Sequence, residues 1–142
     1  QLFNLENTDE WIFAEEKYDV IVHFGVLYHL SNPVENLKFI SKHCDHLIIE
    51  SEVLDSDDPT LVEFLQETRA WNAGAWGMAF SGTGCKPSYG LVESTLSSEG
   101  MTVTRAPHPA MLDARAHYYN WHRKHEGRFS PGQRAMWFCH KK

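Results

Sequence analysis

YDVIVHFGVLYHL, residues 18–30, is the stretch on which the reading of the whole chain turns. Val20, Ile21 and Val22 make an uninterrupted β-branched run, the pattern of a strand covered on both faces. The run stops at Phe24-Gly25 and gives way to a short loop or helix carrying Tyr28 and His29. In open α/β sheets ligands sit beyond the carboxyl ends of the strands. Residues 18–30 therefore offer a core strand and one wall of a candidate site together.

Downstream, Ser31-Asn32-Pro33-Val34-Glu35 reads as a helix start. Asn32 can cap, Pro33 suits the first helical position, and Glu35 stands where a capping box places a carboxylate. Val34, Leu37, Ile40 and Ser41 share one helical face, so the helix is predicted to run to His43-Cys44. HLIIE, residues 46–50, reads as a second buried strand ending in the polar run Glu50-Ser51-Glu52. Strand, helix and strand make a right-handed βαβ unit with parallel strands.

The flanks are less regular. Residues 1–5 read as a short strand followed by a turn, and residues 9–17 as an acidic loop holding Trp11, Ile12 and Phe13. Asp58-Pro59 predicts a helix with Leu61, Val62 and Leu65 inward. WNAGAWGMAFSGTG, residues 71–84, carries four glycines and cannot hold a long helix. It reads either as a substrate-contacting loop or as a hydrophobic flap on the core. Pro87-Ser88 opens a helix with Leu91, Val92 and Leu96 inward and Gly100 as its stop. Residues 101–105 alternate as a strand, a long connection follows, and residues 134–140 form the last strand. The order suits a mostly parallel α/β sheet with helices on both faces and an antiparallel hairpin added at one edge.

At 142 residues and 42% hydrophobic content, the chain is expected to form one domain around one core. The net charge of −6, from 19 acidic and 13 basic residues, argues against affinity based on a basic nucleic-acid footprint. Three cysteines without a close pair point to a reducing, cytoplasmic compartment. No apolar run approaches the roughly 20 residues of a membrane span, so no membrane partner is expected. The chain opens on Gln1 in mid-pattern, which suggests the C-terminal part of a longer product.

YDVIVHFGVLYHLSNPVENLKFI followed by HLIIESEVLD resembles the second half of a class I S-adenosylmethionine-dependent methyltransferase. The fourth strand of that family, of the form (F/Y)DVV, ends in a loop similar to GVLYHL. A helix beginning with Pro and a fifth strand ending near an acidic position follow. Within residues 18–55 the likeness is greatest to the branch of tRNA wobble-uridine carboxymethyl-transferring enzymes. The resemblance implies a partial Rossmann-like sheet, with residues 1–142 forming a single, incomplete methyltransferase-like domain. It implies S-adenosylmethionine as cofactor, S-adenosylhomocysteine as product, and methyl transfer to a small-molecule or nucleic-acid acceptor, of which the net charge favours the small molecule. The family's Gly-rich cofactor loop is not in the sequence; its place would precede Gln1. The family's sheet sets its first strand beside its fourth. Strand 18–24 is thus expected to be a bare apolar edge, covered by residues 2–5, by a second copy in a homodimer, or by a missing N-terminal portion. The alternative is a non-catalytic remnant serving as a partner-binding or structural module.

The resemblance also assigns residues. Asn4 and Leu5 fall where the family receives the adenine amino group, although Asn4 stands in place of the usual Asp. His23, Phe24 and Gly25 fall at the methionine end of the cofactor, and Tyr28 and His29 on the substrate side. A histidine there can serve as a general base because its ordinary pKa is near neutral. Glu50 and Glu52 can orient a substrate amine or hydroxyl, and Trp71 and Trp76, with Phe80, can form a lid that excludes water. His117, Tyr119 and Arg123 belong to an aromatic, basic lip suited to a phosphate or carboxylate. Only His122 and His125 of the histidines there would share a helical face, and no HExxH pattern or Cys pair accompanies them, so no metal site is expected. Cys44, Cys85 and Cys139 read as packing thiols.

Overall fold

The computed structural model describes residues 4–7, 16–66, 79, 81–106 and 133–142. The predicted central strand is β1 (Tyr18–Phe24). A 3₁₀ turn (Leu27–His29) leads to helix α1 (Pro33–Lys42), and β2 (Cys44–Val53) follows. Next come β3 (Val62–Gln66), β4 (Thr83–Pro87), α2 (Tyr89–Ser98), β5 (Met101–Arg105) and β6 (Gln133–Lys141). Four strands form one sheet in the order β1-β2-β6-β5, and β3 and β4 form a separate two-stranded ladder.

The expected βαβ unit is present: β1 and β2 are parallel neighbours, with Tyr18 opposite Cys44 and Phe24 opposite Glu50. The sheet as a whole is not mostly parallel, because β6 pairs antiparallel with both β2 and β5. One reversed strand placed between two others turns both of its ladders antiparallel. The expected antiparallel pair at one edge is present, with β6 against β2 and β5 outermost.

Alternation along the strands divides the sheet into two unlike faces. Leu47 and Ile49 of β2, Ala135, Trp137 and Cys139 of β6, and Met101 of β5 join Leu37 and Ile40 of α1 and Val92 and Leu96 of α2 in one buried cluster. Burying each large apolar side chain of this kind contributes about 1.5–3 kcal/mol. The two helices pack on each other as well as on the sheet. Among the described residues both helices lie on this one face. On the other face Val20, Val22, Phe24 and Phe138 are 48–59% exposed. The β-branched run at residues 20–22 is thus buried on one side only, contrary to its sequence pattern.

Two further expectations fail. Leu5 lies in a turn closed by the Asn7 N–H on the Asn4 carbonyl (3.1 Å), not in a strand. Asp58-Pro59 does not begin a helix: Asp58 Oδ1 accepts from the Thr60 N–H and hydroxyl, closing a local turn. Val62-Glu63-Phe64-Leu65-Gln66 then pairs antiparallel with β4. Aromatic and β-branched residues favour that extended ladder. α2 conforms to expectation. Ser88 caps it by accepting from the Leu91 N–H (3.0 Å), and Gly100, at φ +81°, follows its end.

Candidate functional site

The site is built where the parallel strands β1 and β2 end. Gly25 has φ +67°, which turns the chain out of the sheet. Its N–H donates to the Glu50 backbone carbonyl (3.1 Å) and to Glu50 Oε2 (3.0 Å). Glu50 is only 3% exposed, and a buried carboxylate needs compensation. Arg134, at the start of β6, supplies it. Its Nε donates to Glu50 Oε1 and its Nη2 to Glu50 Oε2 (2.9 Å). Nη1 reaches Glu52 Oε1 (3.3 Å), and Lys86 Nζ lies 3.7 Å from Glu52 Oε2. The guanidinium also lies over the Tyr28 ring, 4.9 Å from its centre. Burial alone would lower the Arg134 pKa. Hydrogen bonds to Glu50 and Tyr28 and the charge of Glu50 outweigh it and raise the value.

A second set of contacts brings the N-terminal turn to the same end of the sheet. Asn36 Nδ2 donates to the Leu5 carbonyl (3.3 Å), and Asn32 Nδ2 to the Glu6 carbonyl (2.8 Å). Asn32 thus uses its side chain on this turn; it makes no cap bond to its own helix. The Glu6 carboxylate accepts from the Ser31 N–H (3.0 Å), the Ser81 N–H (3.1 Å) and the Ser81 hydroxyl (2.8 Å). Burial would raise the Glu6 pKa, but these donors prevail and hold it below its usual value.

Of the residues singled out in the sequence, Asn4 and Leu5 lie on this docked turn. Asn4 Oδ1 accepts from the Glu6 N–H (3.0 Å) and keeps a second lone pair. His23 is buried under the helix face, and burial pulls its pKa down to about 4. Neither ring nitrogen meets a partner with hydrogen-bond geometry, nor does Asn36 Oδ1. The Asn36 amide is near enough to favour the protonated ring, without closing a bond. Phe24 points to the bare face, half exposed. Tyr28 and His29 are half-buried in the 3₁₀ turn, their rings 4.1 Å apart. Glu50 and Glu52 are engaged by Arg134 and Lys86. Trp71, Trp76, Phe80, His117, Tyr119 and Arg123 lie outside the described residues.

The sequence reading passed over Arg134 and Asn36. Arg134 faces Glu52 only because of the antiparallel register of β2 with β6, and spacing along the chain does not specify that register. Asn36 was legible as a polar residue within the apolar face of a helix. Burial pushes the Cys44 thiol up to about 11 and the Cys139 thiol up to about 12, so both are inert packing groups. Among the described residues no group of three His, Cys, Asp or Glu side chains is placed to hold a metal, and no helix is long and apolar enough to cross a membrane.

No protein-family model and no curated protein matches the sequence. Two crystal structures of the N-terminal domain of EvdMO1 match 95% of the chain at a TM-score of 0.59 and 16% identity. One has SAH bound, and the other was obtained in the presence of SAH and D-fucose. The chain spans about half the length of these structures, 52% and 51%. The likeness is one of fold: these structures share the chain's mixed α/β arrangement.

Proposed function

We propose that this chain forms part of an S-adenosylmethionine-dependent methyltransferase-like domain and carries the half of the cofactor pocket that lies beyond β1 and β2. The observation that carries the reading is the Gly25 turn, held at the carboxyl end of two parallel strands, where open α/β sheets bind ligands. The fold shared with an SAH-bound domain supports it. So does the docking of the Asn4-Leu5 turn at the same end.

The residues present fit this half of the group. Asn4 Oδ1, with its spare lone pair, would accept from an exocyclic amine. Gly25 bares its backbone beneath Tyr28 Oη and Arg134 Nη2, which would stand in ordinary contact with a Cβ at 3.7 and 3.9 Å. Phe24 offers an exposed apolar surface beside it. The fully buried His23 serves as a support of the strand end rather than a direct contact. When bound, S-adenosylmethionine supplies an electrophilic methyl group on a sulfonium. The chain's part is to orient the acceptor and keep water out, and His29 would take a proton from a hydroxyl or amine acceptor. We assign a small-molecule acceptor. The net charge of −6 disfavours a polyanion, and the tRNA-enzyme likeness of residues 18–55 extends to the strand-loop-helix core alone.

Calorimetric titration with S-adenosylhomocysteine tests the reading. Binding with a Kd below about 1 mM, about −4 kcal/mol, is expected, and Phe24→Ala should weaken it. No heat at several-fold higher ligand would overturn the reading in favour of a non-catalytic, partner-binding module.

A further inference from the structure

We propose that Glu50 and Arg134 are positioning residues, a brace through which the last strand fixes the Gly25–Tyr28 turn in the geometry the ligand requires. The ligand consequence rests on the cofactor reading above; the brace itself does not.

Three observations converge on it. Glu50 shares its carboxylate between two elements. Oε2 accepts both the Gly25 N–H of the turn and Arg134 Nη2 of β6, while Oε1 accepts Arg134 Nε. Arg134 touches the turn a second time through the Tyr28 ring at 4.9 Å. At Gly25, a Cβ would stand 3.7 Å from Tyr28 Oη and 3.9 Å from Arg134 Nη2, so both groups converge over this glycine. A planar fork fixes a carboxylate in two directions, which a point charge cannot do. Glu50 held in this way directs one acceptor at a single backbone N–H. The turn therefore takes part of its position from β6, at the opposite end of the chain, beside the bond from the Gly25 N–H to the Glu50 backbone carbonyl (3.1 Å). Glu52 and Lys86 extend the same charge chain to β4. A site whose supporting groups are loosened by even an ångström loses much of its affinity.

The test uses conservative variants, because Glu50→Ala or Arg134→Met would strand a buried charge and endanger folding. Glu50→Gln keeps an acceptor but loses an arm of the fork; Arg134→Lys keeps the charge but loses the fork. Amide hydrogen exchange is read by NMR at Gly25, with Val92 and Leu96 of α2 as internal references. Exchange at Gly25 should be about tenfold faster in both variants while the references hold. The Kd for S-adenosylhomocysteine should rise about tenfold in parallel. Unchanged exchange at Gly25 would overturn the proposal. So would equal acceleration at all three sites, which marks a merely structural pair, or a loosened turn that binds the ligand as tightly as before. If the unaltered chain does not bind S-adenosylhomocysteine, the cofactor reading fails, and exchange at Gly25 alone decides on the brace.

Discussion

A neutral imidazole carries one donor and one acceptor, and at His23 both are shut away from water without a bonded partner. Burial depresses its pKa from 6.5 to about 4, so the unfolded chain takes up the proton first as the solution is acidified. The stability associated with the neutral ring is complete above pH 6.5, erodes below it, and is lost by about pH 4. That interval corresponds to about 3 kcal/mol. Urea unfolding across this range should show the decline, and His23→Leu should flatten it while raising stability at pH 7. An equally steep decline in the leucine variant would assign the acid sensitivity to other groups. Gly25 gives a different test at the same strand end. Its positive φ, not lack of room, makes a side chain costly, so Gly25→Ala should lose about 1 kcal/mol in the same assay.

Among the elements, α2 is held by contacts that cross to the segment before β3. Ser88 accepts from the Leu91 N–H and donates to the Asp58 carbonyl (2.5 Å), so Ser88→Ala removes a cap and leaves that carbonyl only the longer bond from the Leu61 N–H (3.4 Å). A loss of about 1–2 kcal/mol is expected. Gly90 should be less tolerant still. A Cβ there would stand 2.2 Å from the Asp57 carbonyl oxygen, which is backbone and cannot swing aside. Gly90→Ala should therefore destabilise by more than the Ser88 change in thermal unfolding, although alanine favours helices. These two residues show how far the elements were legible. Ser88 was readable because a cap is a local device written within one turn. Gly90 was not, since its role is clearance for a segment more than thirty positions away in sequence. β3 was misread for a related reason: Asp58-Pro59 imitates a helix start, and the partner strand β4 lay in a glycine-rich run with little strand character.

For the whole molecule, β1, α1 and β2 were legible because each has its own periodicity and the parallel link between them follows from chain order. The sidedness of the sheet was not, since Val20-Ile21-Val22 is apolar on both faces whether or not both are covered. Val22, Ile48 and Phe138 lie side by side across three strands on the bare face, with Val20 and Phe24 along the same edge strand. Among the described residues β1 also pairs only with β2, and no strand pairs with its other edge. An apolar face continuous with an unpaired edge favours association. We therefore expect this chain to self-associate in dilute buffer, with a weight-average mass that rises with concentration in sedimentation experiments. Val22→Lys with Phe138→Lys should return it to the monomer mass. Both side chains are half-exposed and outside the buried cluster, so thermal stability should change little. An unaltered chain that stays monomeric at high concentration would overturn self-association through this face. A lysine variant that still associates would move the contact to the open strand edge, where backbone rather than side chains makes the bond.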